Sequence, residues 1–251
     1  MKAMQKMKVY YFKLKRLFAN FLFKKPLFVK IPNPIISFSF DDVPESTYTT
    51  GKNLLDKYGY KATYYVALGI KSDTDTTKPY FDHQQLANLV AEGHEIGCHT
   101  HHHLHCYTTP SKVLNHDLEQ NQSALTQLLP TYKFKNFSFP FGEQTIATKA
   151  VIKKRFRSGR GVQFGVNVGR VDLLNLKAVE LLQGQELETI YAWIDLAIQK
   201  NAWLIIYTHD IQENPSKWGC TPAFFESVLR YCSQKNIKGY TVNEALTMVS
   251  R

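Results

Sequence analysis

The sequence predicts an α/β fold in which parallel strands are covered by helices. Short apolar segments alternate with amphipathic segments along most of the chain, as they do in repeated strand–helix units. The chain has 251 residues, a length that an α/β barrel commonly fills as one domain. Hydrophobic residues make up 44% of it, which is typical of a globular protein with a sizeable core and argues against disorder.

The first predicted element is an amphipathic helix over residues 9–25. Its apolar residues recur at helical spacing: Tyr10, Leu14, Leu17, Phe18, Phe21 and Leu22. Residues 1–30 contain nine basic side chains and no acidic one, so 22 basic and 21 acidic residues remain in the rest of the chain. Such a helix can lie in a membrane interface or pack on its own domain, and the pattern fits both alternatives.

The charge distribution argues against nucleic acid as a partner, because the body of the chain is nearly neutral. No apolar run reaches the ~20 residues of a membrane span, and Lys24–Lys25–Pro26 stands where a cleavable signal peptide needs small residues. The predicted location is therefore cytoplasmic, with peripheral contact at the inner face of the membrane through residues 9–25. Pro32 and Pro34 place the boundary between a basic arm, residues 1–33, and a domain, residues 34–251.

Within the domain the hydrophobic pattern predicts alternating strands and helices. Strands are predicted at residues 35–40, 62–67, 95–98, 137–139, 203–208 and 237–240. Helices are predicted at residues 47–58, 81–92, 111–129, 145–156, 187–200, 223–234 and 243–249. Gly59, Gly93 and Pro130 mark helix ends, whereas residues 158–182 show no readable pattern.

The four cysteines give no indication of a thiolate metal site or a redox motif, because none forms a Cys-x-x-Cys pair. They are Cys98, Cys106, Cys220 and Cys232. Free thiols are the expected state, as in a reducing compartment.

Polar side chains directly follow four of the predicted strands. They are Asp41 with Asp42, His99, the segment Pro140-Phe141-Gly142, and His209 with Asp210. In parallel α/β architectures, functional sites are built at the carboxyl ends of the strands. We therefore expect these side chains to converge on one site.

Five histidines lie within residues 99–105, and two pairs among them, His99/His103 and His101/His105, have a spacing of four. Two imidazoles and a carboxylate are a common catalytic zinc set that leaves one position open for water. The adjacent Asp41 and Asp42 would repel each other unless one binds a cation and the other accepts a proton. The alternative for this pair is a solvated turn, since Asp-Asp-Val-Pro is a plausible turn sequence.

At these residues the chain resembles the polysaccharide deacetylase family, carbohydrate esterase family four, with its chitooligosaccharide deacetylase homology domain. The first motif is Ser39-Phe40-Asp41-Asp42, and the second is Gly93-His94-Glu95-Ile96-Gly97-Cys98-His99-Thr100-His101-His102-His103. The resemblance covers residues 35–245. It implies a distorted (β/α) barrel with about seven parallel strands, to which the N-terminal basic amphipathic helix is added.

The resemblance also implies roles for individual residues. Asp41 is the implied general base, and Asp42, His99 and His103 are the implied ligands of Zn²⁺ or of another divalent cation such as Co²⁺ or Ni²⁺. His209 is the implied general acid. The backbone amide of Phe141, next to Pro140, is the implied oxyanion donor.

Two departures from the family pattern stand out. The arginine that orients the base in the family falls at Ser138, so Arg157 and Arg160 are the candidates to replace it. The family's Asp-x-x-Asp-Trp motif is absent, which leaves Asp172 and Asp210 as candidates to orient His209. For Asp210, helix capping or loop solvation is the alternative.

The predicted function is a metal-dependent hydrolase that removes an N-acetyl group from an amino sugar of a glycan or glycan precursor. In this mechanism, water activated at the metal attacks the amide carbonyl. The expected partner is an N-acetylated sugar, a glycan or a lipid-linked sugar of the cell envelope. The alternatives are another metalloenzyme class, such as a sugar isomerase, and a catalytically impaired module on the same fold that binds carbohydrate or a lipid-linked sugar.

Overall fold

The computed structural model describes residues 2–70, 80 and 82–250, and within the N-terminal helix it describes no side chain of residues 2–10 or 13. Phe81, where the second helix of the domain is predicted to begin, lies outside the described residues. The side chains of Tyr10 and Lys13 in the predicted amphipathic helix also lie outside them.

Seven parallel strands form one continuous curled sheet. In spatial order they are Ser158–Arg160 (β6), Asn136–Ser138 (β5), Glu95–Cys98 (β4), Ala62–Val66 (β3), Ile35–Asp41 (β2), Trp203–Thr208 (β9) and Val179–Glu180 (β8). Lys238–Gly239 (β10) pairs in parallel with the start of β2. This arrangement confirms the predicted α/β class with a distorted, incomplete barrel.

Eight α-helices accompany the sheet in the described part of the chain. They are Lys2–Leu22 (α1), Asn53–Lys57 (α2), His83–Ala91 (α3), Ser111–Leu128 (α4), Ile146–Arg155 (α5), Leu187–Gln199 (α6), Pro222–Gln234 (α7) and Val242–Val249 (α8). Capping boxes fix the starts of α3, α5 and α8, where the N-cap side chain and the third helical residue bond each other's backbone. A π-helical turn, Thr47–Lys52, leads into α2.

The core lies on both faces of the sheet. Every residue of β2, β3, β4 and β9 is buried, which is typical of parallel strands covered by helices. Phe40 packs on Tyr64 and on Phe225 of α7. Full burial of a large apolar side chain is worth roughly 1.5–3 kcal/mol. The carboxyl ends of these strands therefore lie at one firmly held edge of the sheet.

The segment without a readable pattern contains three short strands. They are β6, Gly169–Asp172 (β7) and β8, and their lengths of two to four residues are too short to show an alternation. A further strand, Pro26–Val29 (β1), pairs antiparallel with β7. Val29 and Ile31 are buried in a second, smaller core. The C-terminal end of the predicted arm thus packs on the body. The domain boundary at residue 33 stays a prediction.

Helix α1 packs on the body through one side only. Ala19 is buried, and the Phe12 ring stacks on Tyr107 at 4.7 Å between centroids. The Lys149 ammonium donates to the carbonyl of Ala19 and to the side chain of Asn20. Large apolar side chains on the opposite side stay exposed, so packing on the domain leaves the outer apolar face uncovered. No helix among the described residues has both the length and the apolar character to cross a bilayer.

Candidate active site

The three predicted metal ligands converge at the carboxyl edge of the sheet. Asp42 Oδ1 lies 3.4 Å from His103 Nε2 and 3.7 Å from His99 Nε2. Their ligand atoms all lie within 4.8 Å of one another. Asp42 Oδ1 is buried and has no hydrogen-bond partner among the described residues. A buried carboxylate oxygen that faces two imidazole nitrogens without a donor fits a divalent cation.

The orientation of the two imidazoles supports this arrangement. His99 Nδ1 donates a hydrogen bond to the carbonyl oxygen of Ser138 at 2.8 Å, which leaves the Nε2 lone pair facing Asp42. Burial lowers the pKa of His103 to about 4, and the neighbouring His99 acts in the same direction. His103 can therefore present the neutral nitrogen that metal binding requires, and the hydrogen bond at Nδ1 of His99 turns its Nε2 atom towards the same point.

The other histidines of the cluster have separate partners. Asp117 of α4 accepts hydrogen bonds from the backbone N–H of His101 at 2.6 Å and from His102 Nδ1 at 2.7 Å. His105 Nδ1 lies 3.1 Å from Glu143. Of the two pairs with helical spacing, the structure brings His99 and His103 together with Asp42. Asp117 holds their loop, a role that its position inside a helix pattern did not indicate.

Backbone strain concentrates in the same loops. Seven described non-glycine residues have positive φ, and the first five contribute to this site: Asp42, Val43, Thr100, His103, Phe141, Asn201 and Asn236. A left-handed conformation costs an ordinary L-residue roughly 1–2 kcal/mol. The surrounding packing must impose these conformations, which the sequence could not reveal because no glycine marks them.

Arg160 supplies the positive charge beside Asp41 that Ser138 lacks. Asp41 is buried, and its Oδ2 accepts a hydrogen bond from the Arg160 guanidinium, which also donates to Ser138 Oγ. Ser138 and Arg160 are paired residues of β5 and β6, so the arginine reaches Asp41 from the neighbouring strand. Arg157, the other candidate, binds Asn243 of α8 instead.

The electrostatics around Asp41 favour its ionised form. Burial by itself raises the pKa of this carboxyl group. The charge of Arg160, assisted by His99 and His209, outweighs burial and lowers the pKa to about 2. Asp41 is therefore a carboxylate at neutral pH.

His209 lies opposite the ligand set, with its Nε2 atom 3.9 Å from Asp42 Oδ2. Its Nδ1 atom lies 3.1 Å from the carbonyl oxygen of Trp218, which fixes the ring. Sequence reasoning did not identify Trp218, because a main-chain carbonyl leaves no signature in a motif.

Neither acidic candidate for orienting His209 contacts it. Asp210 orders the following loop, since its carboxylate accepts from the Ser216 N–H at 2.7 Å and from Gln212 at 3.1 Å. Asp172 pairs with the Lys149 ammonium at 2.6 Å and caps the Lys25 N–H at 2.9 Å. Asp210 and Asp172 thus stabilise the segments around them, and the group that orients His209 is the main-chain carbonyl of Trp218.

Phe141 forms the rim of the site. It lies in the turn Pro140–Gly142, and its ring centroid is 4.4 Å from that of His103. The ring stacks on His105 on its other side and is 54% exposed, so it can contact a ligand that enters from solvent. Pro140, the preceding residue of the turn, is buried.

A second group, Asp56, Glu92 and His94, also has ligand atoms within 4.8 Å of one another. Lys52 pairs with both of its carboxylates, and Lys61 Nζ lies 3.0 Å from Asp56. These lysines already neutralise the two carboxylates, so the group has no need of a metal cation.

The sequence matches the family model described as polysaccharide deacetylase over residues 29–155. It is 36% identical over 92 residues to a peptidoglycan-N-acetylglucosamine deacetylase from Bacillus cereus, a match that covers 36% of this chain and 39% of that protein. It is 27% identical over 121 residues to a gellan lyase from a Bacillus species, covering 47% of this chain and 4% of that protein. The matches therefore span less than half of either curated relative.

Solved structures share the fold. A peptidoglycan N-acetylglucosamine deacetylase has a TM-score of 0.62 at 15% identity, covering 90% of this chain and 94% of its own. A peptidoglycan deacetylase from Bacillus subtilis has a TM-score of 0.58 at 17% identity, covering 88% and 93%. A family 4 acetyl xylan esterase from Clostridium thermocellum, solved with a cobalt ion, has a TM-score of 0.60 at 19% identity, covering 85% and 91%.

The family match covers half of the chain and contains Asp41, Asp42, His99 and His103. The half-barrel of seven parallel strands agrees with the solved deacetylases over almost the whole chain. Sequence and fold thus lead to the same assignment: the chain belongs to the polysaccharide deacetylase family, carbohydrate esterase family four.

Proposed function

We propose that this chain is a metal-dependent hydrolase that removes an acetyl group from the nitrogen of an amino sugar. One observation carries the proposal. The unpartnered Asp42 Oδ1 faces the Nε2 atoms of His99 and His103, while Asp41 beside it is kept ionised by Arg160. A ligand set and a separate carboxylate are the two parts that hydrolysis of an amide at a metal requires.

Asp42, His99 and His103 would hold the cation. One carboxylate and two imidazoles accept Zn²⁺, Co²⁺ or Ni²⁺, so the donor set does not select one of these metals. When bound, the ion supplies a Lewis acid that polarises the acetyl carbonyl and lowers the pKa of water.

The remaining steps belong to the side chains of this protein. Asp41, oriented by Arg160 and Ser138, accepts the proton of the attacking water. The Phe141 N–H donates to the carbonyl oxygen as negative charge develops there, a contribution typically worth ~3–4 kcal/mol. His209 donates from Nδ1 to the Trp218 carbonyl, and in its imidazolium form it gives the Nε2 proton to the amine nitrogen as the C–N bond breaks.

The proposal predicts that the purified protein releases acetate from N-acetylated oligosaccharides and that chelation stops it. Loss of the Lewis acid removes several kcal/mol of transition-state stabilisation, so we expect a fall in rate of about 100-fold or more. Free acetate is measured before chelation, after chelation and after restoring Zn²⁺, Co²⁺ or Ni²⁺. O-acetylated xylan serves as the ester control. Acetate release that survives complete metal removal contradicts the proposal.

The alternative of an impaired binding module rests on the missing family arginine at Ser138. Arg160 supplies a guanidinium to Asp41 from the next strand, so the base does not lack its charged partner. The alternative is therefore not favoured.

We also propose that α1 lies on the anionic cytoplasmic face of a membrane. The exposed apolar residues of α1 that lie outside the cavity between the helix and the body are Tyr11, Leu14, Phe18 and Leu22. Lys15 lies over the Tyr11 ring on this face, and residues 1–30 contain no acid. A second copy of the chain is a poorer partner, because it would bring two strongly basic arms together. Anionic lipid offers both an apolar layer and opposite charge.

Cosedimentation with vesicles tests this membrane proposal. The chain should bind vesicles containing phosphatidylglycerol and bind much less to pure phosphatidylcholine, with binding reduced by salt. The double variant Leu14→Asp/Phe18→Asp should lose this binding while keeping deacetylation of soluble oligosaccharides. A matched control, Val113→Asp/Met248→Asp, alters exposed apolar residues on other helices. Equal binding by both double variants would refute the proposal.

A further inference from the structure

A cavity of about 580 Å³ lies between α1 and the body of the protein. Its lining includes Gly142, which directly follows Phe141 at the rim of the site, and Gln144. We call it the α1 cavity. Small-molecule sites typically occupy about 300–1,000 Å³, so the cavity is large enough to hold a sugar unit.

The α1 cavity is positively charged. Four basic residues line it: Arg16, Lys24, Arg170 and Lys177. None of the four forms an ion pair with another described residue. Asp172, the acidic residue in the lining, is already paired with Lys149. Four positive side chains around one cavity attract an anion, although Lys24 and Arg170 are also exposed to solvent.

Three side-chain amides line one wall of the α1 cavity, of which Gln144 and Asn175 are buried and Gln163 is exposed. Gln144 Nε2 donates to Asn175 Oδ1 at 2.9 Å, and Asn175 Nδ2 donates to Gln163 Oε1 at 3.2 Å. A Cβ atom at Gly161 would lie 2.1 Å from Asn175 Oδ1, so this chain of amides requires glycine there. Gln144 is only 1% exposed, yet its Oε1 atom has no partner among the described residues.

An unpartnered buried acceptor destabilises the fold unless a ligand brings a donor to it. Sugar hydroxyls and amide N–H groups are donors of that kind, and the amide wall offers them further partners. The basic residues add a requirement for negative charge. Together they describe a sugar that carries an anionic group.

We propose that the α1 cavity binds a sugar unit bearing a phosphate or a carboxylate, adjacent to the acetylated sugar that is hydrolysed. This subsite rests on the proposed deacetylase function. A phosphate would come from a lipid-linked or nucleotide-linked precursor, and a carboxylate from an acidic sugar of a glycan.

Calorimetric titration at low salt tests the subsite through binding alone. The probes are N-acetylglucosamine 1-phosphate, N-acetylmuramic acid and neutral N-acetylglucosamine. At least one anionic probe should bind about tenfold more tightly than the neutral sugar, because hydrogen bonds to charged groups are stronger. A preference for the phosphate indicates a linked precursor, and a preference for the carboxylate indicates an acidic glycan.

Two variants assign the site of binding. Arg170→Ala/Lys177→Ala should lower the affinity of the anionic probe to that of the neutral sugar. Lys200→Ala/Lys238→Ala removes two exposed charges away from the cavity and should keep the preference. Gln144→Glu should also abolish it, by adding negative charge to the wall. An equal affinity for all three probes, or a preference that survives in Arg170→Ala/Lys177→Ala, overturns the subsite. Acetate release is measured separately, so a failure of the deacetylase proposal is distinguishable from a failure of the subsite.

Discussion

Asp42→Ala will abolish metal binding and deacetylation together, whereas Asp41→Asn will keep the metal and lose only turnover. Asp42 Oδ1 is the carboxylate oxygen that faces both imidazoles, so its removal leaves two of the three ligands. The asparagine of Asp41→Asn would keep an oxygen that can accept from Arg160, but a neutral amide cannot take a proton from water. General-base catalysis contributes about 10²–10⁴-fold, which is the loss in turnover that we expect for Asp41→Asn.

Metal content after dialysis, turnover and thermal unfolding are measured on each variant. Glu92→Gln is the matched control, because it removes a carboxylate from the second acidic group while leaving the proposed ligands intact. It should keep both metal and activity. Loss of metal from Glu92→Gln would move the site to that group, and wild-type turnover in Asp41→Asn would remove Asp41 as the base.

The carboxyl-end residues of the long strands could be predicted from sequence because those strands are strongly patterned. Strands β2 and β9 have seven and six residues, all buried, and their largely apolar sequences place Asp41, Asp42 and His209 at one edge of the sheet. The choice between the two histidine pairs needed the family motif. Helical spacing alone fits both pairs, and the loop that selects between them has left-handed residues in place of a regular helix.

The hydrogen-bond partners of these residues could be predicted only in part. For Asp41 the sequence left two candidate arginines. Arg157 and Arg160 are three residues apart, and only the register of β6 against β5 decides which one faces Asp41. A strand of three residues shows no alternation from which that register could be derived. The α1 cavity could not be predicted for a related reason. It is lined by residues of α1 and of the segment 158–182, in which the sequence shows no readable pattern.

The guanidinium beside Asp41 comes from Arg160 of β6, whereas the family pattern has its arginine at the position of Ser138 on β5. Arg160→Ser will destabilise the fold by about 3–5 kcal/mol and abolish turnover, because it leaves the buried Asp41 charge without its partner. Arg157→Ser is the control, since that arginine contacts α8 and not Asp41. Denaturant unfolding and turnover are measured on both variants.

The swap Ser138→Arg/Arg160→Ser separates positioning from packing. Residues 138 and 160 are cross-strand partners, so in the swap a guanidinium at residue 138 lies beside Asp41, as in the family pattern. A serine at residue 160 then supplies the hydroxyl group that Ser138 supplies in the unchanged protein. We expect the swap to recover most of the turnover lost in Arg160→Ser, whereas Ser138→Arg alone should be destabilised by two buried arginines at one carboxylate. If Arg160 merely filled space behind Asp41, the swapped protein would fold and remain inactive. Recovery of turnover, with KM unchanged, would show that the guanidinium acts on the base from either strand.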